Sequence, residues 1–127
     1  PPKAMNLSVY NQEDCAEIAS DAVKDSIGAA CLYNYPAWMA SEPFALYQKY
    51  LPGVFAFLGI ENEEKGTGAD HHNSKFDIDE DVLKLGVAST VQYALYFLNS
   101  DKEITFKPEE TELETFAKDA GFPVAWP

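Results

Sequence analysis

Two histidines, His71 and His72, stand side by side in a chain that contains no others. A neutral imidazole is a good zinc ligand, and Asp70 next to them is of the type that steadies such a ring through its second nitrogen. In extended backbone, neighbouring side chains point to opposite faces, so at most one of the pair faces a given pocket. Catalytic zinc usually takes three protein ligands, and the pair alone falls short of that. By composition alone, a solvated surface pair is the better account and a metal ligand the alternative.

Ser41-Glu42 is a second candidate. Glu42 has the chemistry of a base or a ligand, but an acidic residue in a first helical turn ordinarily serves the helix dipole. Glu63 and Glu64 beside Lys65 read as a solvated loop. Thr67 between Gly66 and Gly68 is no phosphate loop, since no Gly-Lys-Ser/Thr run follows it. Cys15 and Cys31 are too few for a disulfide framework and read as small inert core residues, one in a helix and one in a strand.

Charge narrows the partners. The 127 residues carry 9 basic and 21 acidic side chains, a net −12, and every basic residue is a lysine. No basic surface exists to release counterions from nucleic acid or an anionic membrane, so neither is an expected partner. Bidentate clamping of a carboxylate by arginine is not open to this chain. A 46% hydrophobic, 13% aromatic composition excludes low complexity. The length suits one domain that buries roughly two-thirds of its unfolded surface. Neither a signal segment nor an apolar run of membrane length is visible, and the expected location is the cytoplasm.

The elements that would position these residues follow from periodicity. Asn11 reads as an N-cap, with Glu13 and Asp14 in the first turn. Cys15, Ile18, Ala19, Ala22, Val23 and Ile27 then recur at helical intervals up to Gly28. Ala29 to Tyr35 reads as a strand. A helix over Phe44 to Tyr50, capped by Ser41, is ended by Pro52-Gly53. Val54 to Ile60 is apolar at nearly every position, the pattern of a strand covered on both sides. Glu61 to Ser74 is a polar loop. Asp77 and Glu80 form a capping box for a helix whose expected buried stripe is Leu83, Val87, Val91, Ala94 and Leu98. Gly86 within that helix implies close packing. Ile104-Thr105-Phe106 reads as a short strand, and Pro108 as the start of an acidic helix to Ala120, followed by an irregular apolar tail. The expected fold class is therefore α/β, with helices packed on a short, mostly apolar sheet.

Taken in order, several strings carry a resemblance. They are Met39-Ala40-Ser41-Glu42-x-Phe44, Leu51 to Gly59 (LPGVFAFLG), and Asn62-Glu63-Glu64-Lys65-Gly66. After them come His71-His72-Asn73-x-x-Phe76-Asp77-Ile78-Asp79-Glu80 and Leu83-x-x-Gly86. Together they resemble the C-terminal end of the metal-dependent amidohydrolases of the aminoacylase/carboxypeptidase G superfamily. The branch is that of hippurate hydrolases, N-acyl-amino-acid amidohydrolases and auxin-conjugate hydrolases. The resemblance covers about residues 2 to 99, which sets residues 1–99 as part of a catalytic domain and 100–127 as an acidic extension.

The resemblance implies the C-terminal portion of a zinc-peptidase-type catalytic domain with two metal ions in the parent enzyme. It makes His72 the metal ligand, leaves His71 structural, and puts Ser41 and Glu42 near the active site. It also implies cleavage of the amide bond of N-acyl amino acids or small peptides. In that chemistry two zinc-like ions polarise the acyl carbonyl and lower the pKa of a bridging water, and a glutamate relays its proton. That glutamate and the other ligands belong to the earlier half of the family's catalytic domain, so this chain alone is expected to be silent. Pro43 stands where the family usually has aspartate. Because the parent's sheet would be cut, a homodimer or association with the rest of the catalytic domain is expected. The contrasting expectation is a non-catalytic binding or assembly domain that kept the fold.

Overall fold

A computed structural model describes residues 7–40 and 42–119. Its regular elements are helices: α1 (Glu13–Ser26), α2 (Phe44–Tyr47), α3 (Leu83–Leu98) and α4 (Leu113–Asp119), with short 3-10 turns at Ala29–Cys31, Glu63–Lys65 and Glu80–Val82. Among the described residues there is no strand, so the expected α/β class with a short sheet is corrected to a helical one.

The correction has a local cause. A strand becomes a sheet only when a second backbone runs alongside to take its N–H and C=O groups. Here those of the apolar 54–60 run go elsewhere. The Asn11 side chain occupies both groups of Phe55, donating from Nδ2 to its carbonyl at 2.9 Å and accepting its N–H at 2.7 Å. The Ile60 carbonyl accepts from Asp79 N and from Thr67 Oγ1. The double covering expected of this run is also missing, for Phe57 and Leu58 are 57% and 42% exposed. Ala29–Cys31 is a 3-10 turn and residues 104–106 have no regular structure, so neither expected strand forms.

α1 follows its sequence pattern closely. Cys15, Ile18 and Ala22, spaced three and four apart, are its buried residues. The cap lies one position later than expected: the Gln12 side chain accepts from Cys15 N at 2.8 Å, which frees Asn11 for Phe55. Gly28, at φ 103°, ends the helix by donating to the carbonyls of Val23 and Lys24.

α3 packs against α1, but on a face the sequence pattern does not select. Gly86, Ser89, Tyr93 and Tyr96 are half-buried, whereas Leu83, Val87, Val91 and Leu98 are 47 to 79% exposed and Ala94 is exposed as well. The expected buried stripe therefore points outward. The two helices are tied by a hydrogen bond from the Tyr96 hydroxyl to Asp25, and the Tyr93 phenol is pushed up to about 12 by burial, then by neighbouring Cys15. Gly86 does mark a close approach: a Cβ there would stand 2.9 Å from Leu58 Cδ2.

The segment after α3 returns across the front of α1. Lys102 pairs with Asp14 at 3.0 Å and with Glu17, and Thr105 N donates to Asp14 Oδ2 at 3.1 Å. Further on, Glu109 N donates to the Lys49 carbonyl at 2.7 Å and the Tyr50 hydroxyl to that of Thr111 at 2.9 Å. α4 starts at Leu113 rather than at Pro108. Ala120 and the apolar tail lie outside the described residues.

Candidate functional site: a closed loop that carries the histidine pair

Between the apolar run and α3 the chain makes one excursion, residues 61 to 78, with His71 and His72 near its far end. Its two ends meet. The Ile60 carbonyl accepts at 3.0 Å from Asp79 N and at 3.1 Å from Thr67 Oγ1. Asn62 N donates to Thr67 Oγ1 at 2.8 Å, and Asn62 Nδ2 to Asp79 Oδ2 at 2.7 Å. Lys65 Nζ closes the neck by donating to Asp79 Oδ1 and, at 2.6 Å, to Asp81 Oδ2. Thr67 and Asp79 are the buried polar residues among those described.

A buried carboxylate is tolerated when it is paired and fully hydrogen-bonded, and Asp79 meets both conditions. Its second oxygen also accepts from Asp81 N at 3.1 Å, so Asp79 caps the turn that leads into α3. The expected cap, Asp77, is instead turned onto the adjacent Ile78 N–H. The Lys65 hydrogen bond, followed by that of Asn62, holds the Asp79 carboxyl at about 2. Its hydrogen bonds to Asp79 and then to Asp81 hold Lys65 well above the usual lysine range.

At the tip, the two histidines have different surroundings. The His71 ring lies between Trp38, at a centroid distance of 5.7 Å, and Phe76, at 5.1 Å. His72 takes φ 63°, the left-handed conformation, and among the described residues no other non-glycine does so. This region costs most residues steric strain, but histidine enters it more readily than β-branched or bulky types. Both histidines are exposed; His71 has the ring contacts and His72 the left-handed backbone.

The other sequence candidates do not converge on this pair. Glu42 Oε1 accepts from Phe44 N at 3.0 Å, just ahead of α2, whose N-cap position is Pro43. Pro43, at φ −67°, precedes α2 without a penalty for its missing N–H. Ser41 lies outside the described residues. Cys15 is buried and Cys31 exposed, both free thiols, so only the first is the core residue expected.

Among the described residues no three or more His, Cys, Asp or Glu side chains are grouped to hold a metal ion. The donors present therefore do not fit a complete metal centre. The residues that sequence reading passed over are Asn62, Lys65, Thr67 and Asp79. The polar character of 61–74 suggested solvent for all but the last. The only local signal was the capping ability of Asn62 and Asp79.

The chain is 35% identical over 99 residues to IAA-amino acid hydrolase ILR1-like 6 of Arabidopsis thaliana, covering 78% of this chain and 20% of the relative. It is 34% identical over 83 residues to thermostable carboxypeptidase 2 of Saccharolobus solfataricus, covering 65% and 21%. The chain is homologous to these hydrolases and carboxypeptidases. A third relative, IAA-amino acid hydrolase ILR1-like 2 of Arabidopsis thaliana, is 31% identical over 98 residues, covering 77% and 21%. The chain thus spans about a fifth of the length of these relatives. No family model and no solved structure matches it. Among the described residues no helix is long and apolar enough to cross a membrane.

Proposed function

We propose that this chain is the C-terminal part of the catalytic body of an amide hydrolase that acts on N-acyl amino acids or small peptides. The observation that carries the reading is the 35% identity over 99 residues to an IAA-amino acid hydrolase, joined by a similar match to a carboxypeptidase. Both kinds of relative are named for releasing an amino acid, and the bond at issue is an amide in each.

Within that reading, His72 is the residue this chain gives to the reaction centre. It supplies one imidazole to a divalent metal, most simply zinc, whose remaining donors come from polypeptide outside the chain. Support comes from the exposure of His72 and its left-handed backbone, and from the contacts that the equally exposed His71 ring makes with Trp38 and Phe76. One imidazole cannot hold a catalytic metal, so the chain by itself is silent.

The test is zinc titration and hydrolysis of an N-acyl amino acid, with the chain alone and within a polypeptide that supplies the missing four-fifths. Alone, the chain binds zinc weakly and His72→Ala changes nothing. In the longer polypeptide, His72→Ala lowers both zinc affinity and turnover by more than the roughly 10–100-fold typical of losing an outer partner of a ligand. Full activity of that variant refutes the assignment of His72. Turnover by the chain alone refutes the reading of it as part of a larger catalytic body.

A further inference from the structure

We propose that Asp79 is the positioning residue of the 61–78 loop and, through the closed neck, sets where His72 is presented. This rests on the reading of His72 as the functional imidazole, but it concerns the geometry of the loop and not the metal.

The neck centres on one carboxylate, with Asp81 Oδ2 taking a further bond from Lys65. Asp79 Oδ2 receives Asn62 Nδ2 at 2.7 Å from the outgoing side of the loop, and Oδ1 receives Lys65 Nζ from the same side and Asp81 N at 3.1 Å from the returning side. Asp79 is 6% exposed, so water does not stand in for these partners as it would at the surface. The backbone N–H of the same residue shares the Ile60 carbonyl with Thr67 Oγ1. Removing the carboxylate therefore releases Asn62 from the returning side of the loop and leaves Lys65 held there by Asp81 alone.

Beyond the neck, the path to the tip is short and constrained. Gly68, at φ 120°, lies under the Glu61 side chain, whose Cγ is 2.7 Å from where a Cβ would stand. His71 is then fixed by Trp38 and Phe76, and Lys75 N and Phe76 N both donate to Asn73, one to its side chain and one to its carbonyl. His72 lies between two anchored points, the neck and the aromatic tip. A left-handed residue is kept only where its surroundings over-determine it. Loosening the neck leaves one anchor, and His72 then relaxes to negative φ.

Asp79→Ala, Asp79→Asn and Lys65→Met in the full 127-residue chain test this by NMR. Replacing the half-exposed Lys65 keeps the Asn62 and Ile60 bonds but leaves the buried Asp79 carboxylate without its countercharge, which loosens the neck from the other side. In Asp79→Ala and Lys65→Met, the His72 imidazole and amide resonances shift and the strong intraresidue HN–Hα contact that marks positive φ is lost. Amide exchange at Thr67 and Asp79 rises about tenfold or more, while Cys15 and Ala22 of α1 keep their shifts. Asp79→Asn, which keeps one acceptor, falls between. If Asp79→Ala does not fold, Lys65→Met decides. The proposal is overturned if exchange at the neck accelerates while the His72 signals stay where they were. The zinc experiment separates the two readings. Movement of His72 in these variants, with no effect of His72→Ala in the longer polypeptide, sinks the metal role and keeps the positioning role. The reverse pattern sinks the positioning role alone.

Discussion

At the scale of single residues, two carboxylates each gather contacts from separate parts of the described chain. Asp79 closes the histidine loop. Asp14 gathers the Gln12 side chain, Lys102 and the Thr105 N–H at the front of α1, and these contacts, Gln12 first, hold its carboxyl at about 2. Both carboxyls lie below the ordinary aspartate value of 3.8. A carboxyl with a lowered folded-state pKa contributes stability that is fully present above its unfolded value and is lost as pH falls through the folded one. Acid titration followed by circular dichroism and NMR should therefore show the neck and the Lys102 strap intact at pH 5 and released between about pH 4 and pH 2. In Asp14→Asn the strap signals should already be shifted at pH 7 and lose most of that acid dependence. An unchanged acid profile in that variant would count against the assignment. The residue types did announce part of this. Asp and Asn before a helix are legible caps, but which of Asp77 and Asp79 caps, and that Lys65 reaches back to join it, depends on the return of the loop.

At the scale of elements, α1 is the best packed and the most legible. Its buried positions are those its periodicity names, since one helix face meeting one neighbour is a local property of spacing. Ile18→Ala should lower stability by about 2 kcal/mol, at the low end for buried aliphatic truncation because Ile18 retains 8% exposure. Urea denaturation with an unchanged slope would check this, and a loss under ~0.5 kcal/mol would mean that α1 is not the centre of the core. Gly86→Ala in α3 sets a helix-propensity gain of up to about 1 kcal/mol against contact with Leu58 Cδ2. That atom is the end of a flexible, 42% exposed side chain, so it can give way. Thermal melts should place the variant within ~0.5 kcal/mol of the parent, on the stabilising side. A larger loss would show that Leu58 is pinned in place. α3 was legible as a helix but not in its orientation. Its apolar stripe is real, yet the small and aromatic residues on another face are the ones that meet α1.

At the scale of the whole molecule, the exposed apolar surface stands out. Tyr35, Trp38, Phe57, Leu83, Val87, Val91, Leu95 and Leu98 are each 47% exposed or more. A monomeric surface rarely keeps so much apolar area free of a partner. The chain also spans about a fifth of its relatives' length. In dilute buffer it should associate with itself as concentration rises through the micromolar range, and Val87→Glu with Val91→Glu should suppress that. Sedimentation and solution scattering would read both effects, and a single monomeric species throughout would overturn the expectation. The sequence by itself determined the helical path of α1, the polar excursion that carries the histidines, and the ordered strings that relate the chain to amide-cleaving enzymes. These are properties of spacing and residue type, fixed within a few turns of chain. Only the tertiary structure decided that Val54 to Ile60 is not a strand, that the stripe of α3 faces outward, and that Asp79 joins the neck. Each depends on which groups from distant parts of the chain come alongside. A backbone N–H taken by Asn11, or an apolar face with nothing packed on it, cannot be read from periodicity.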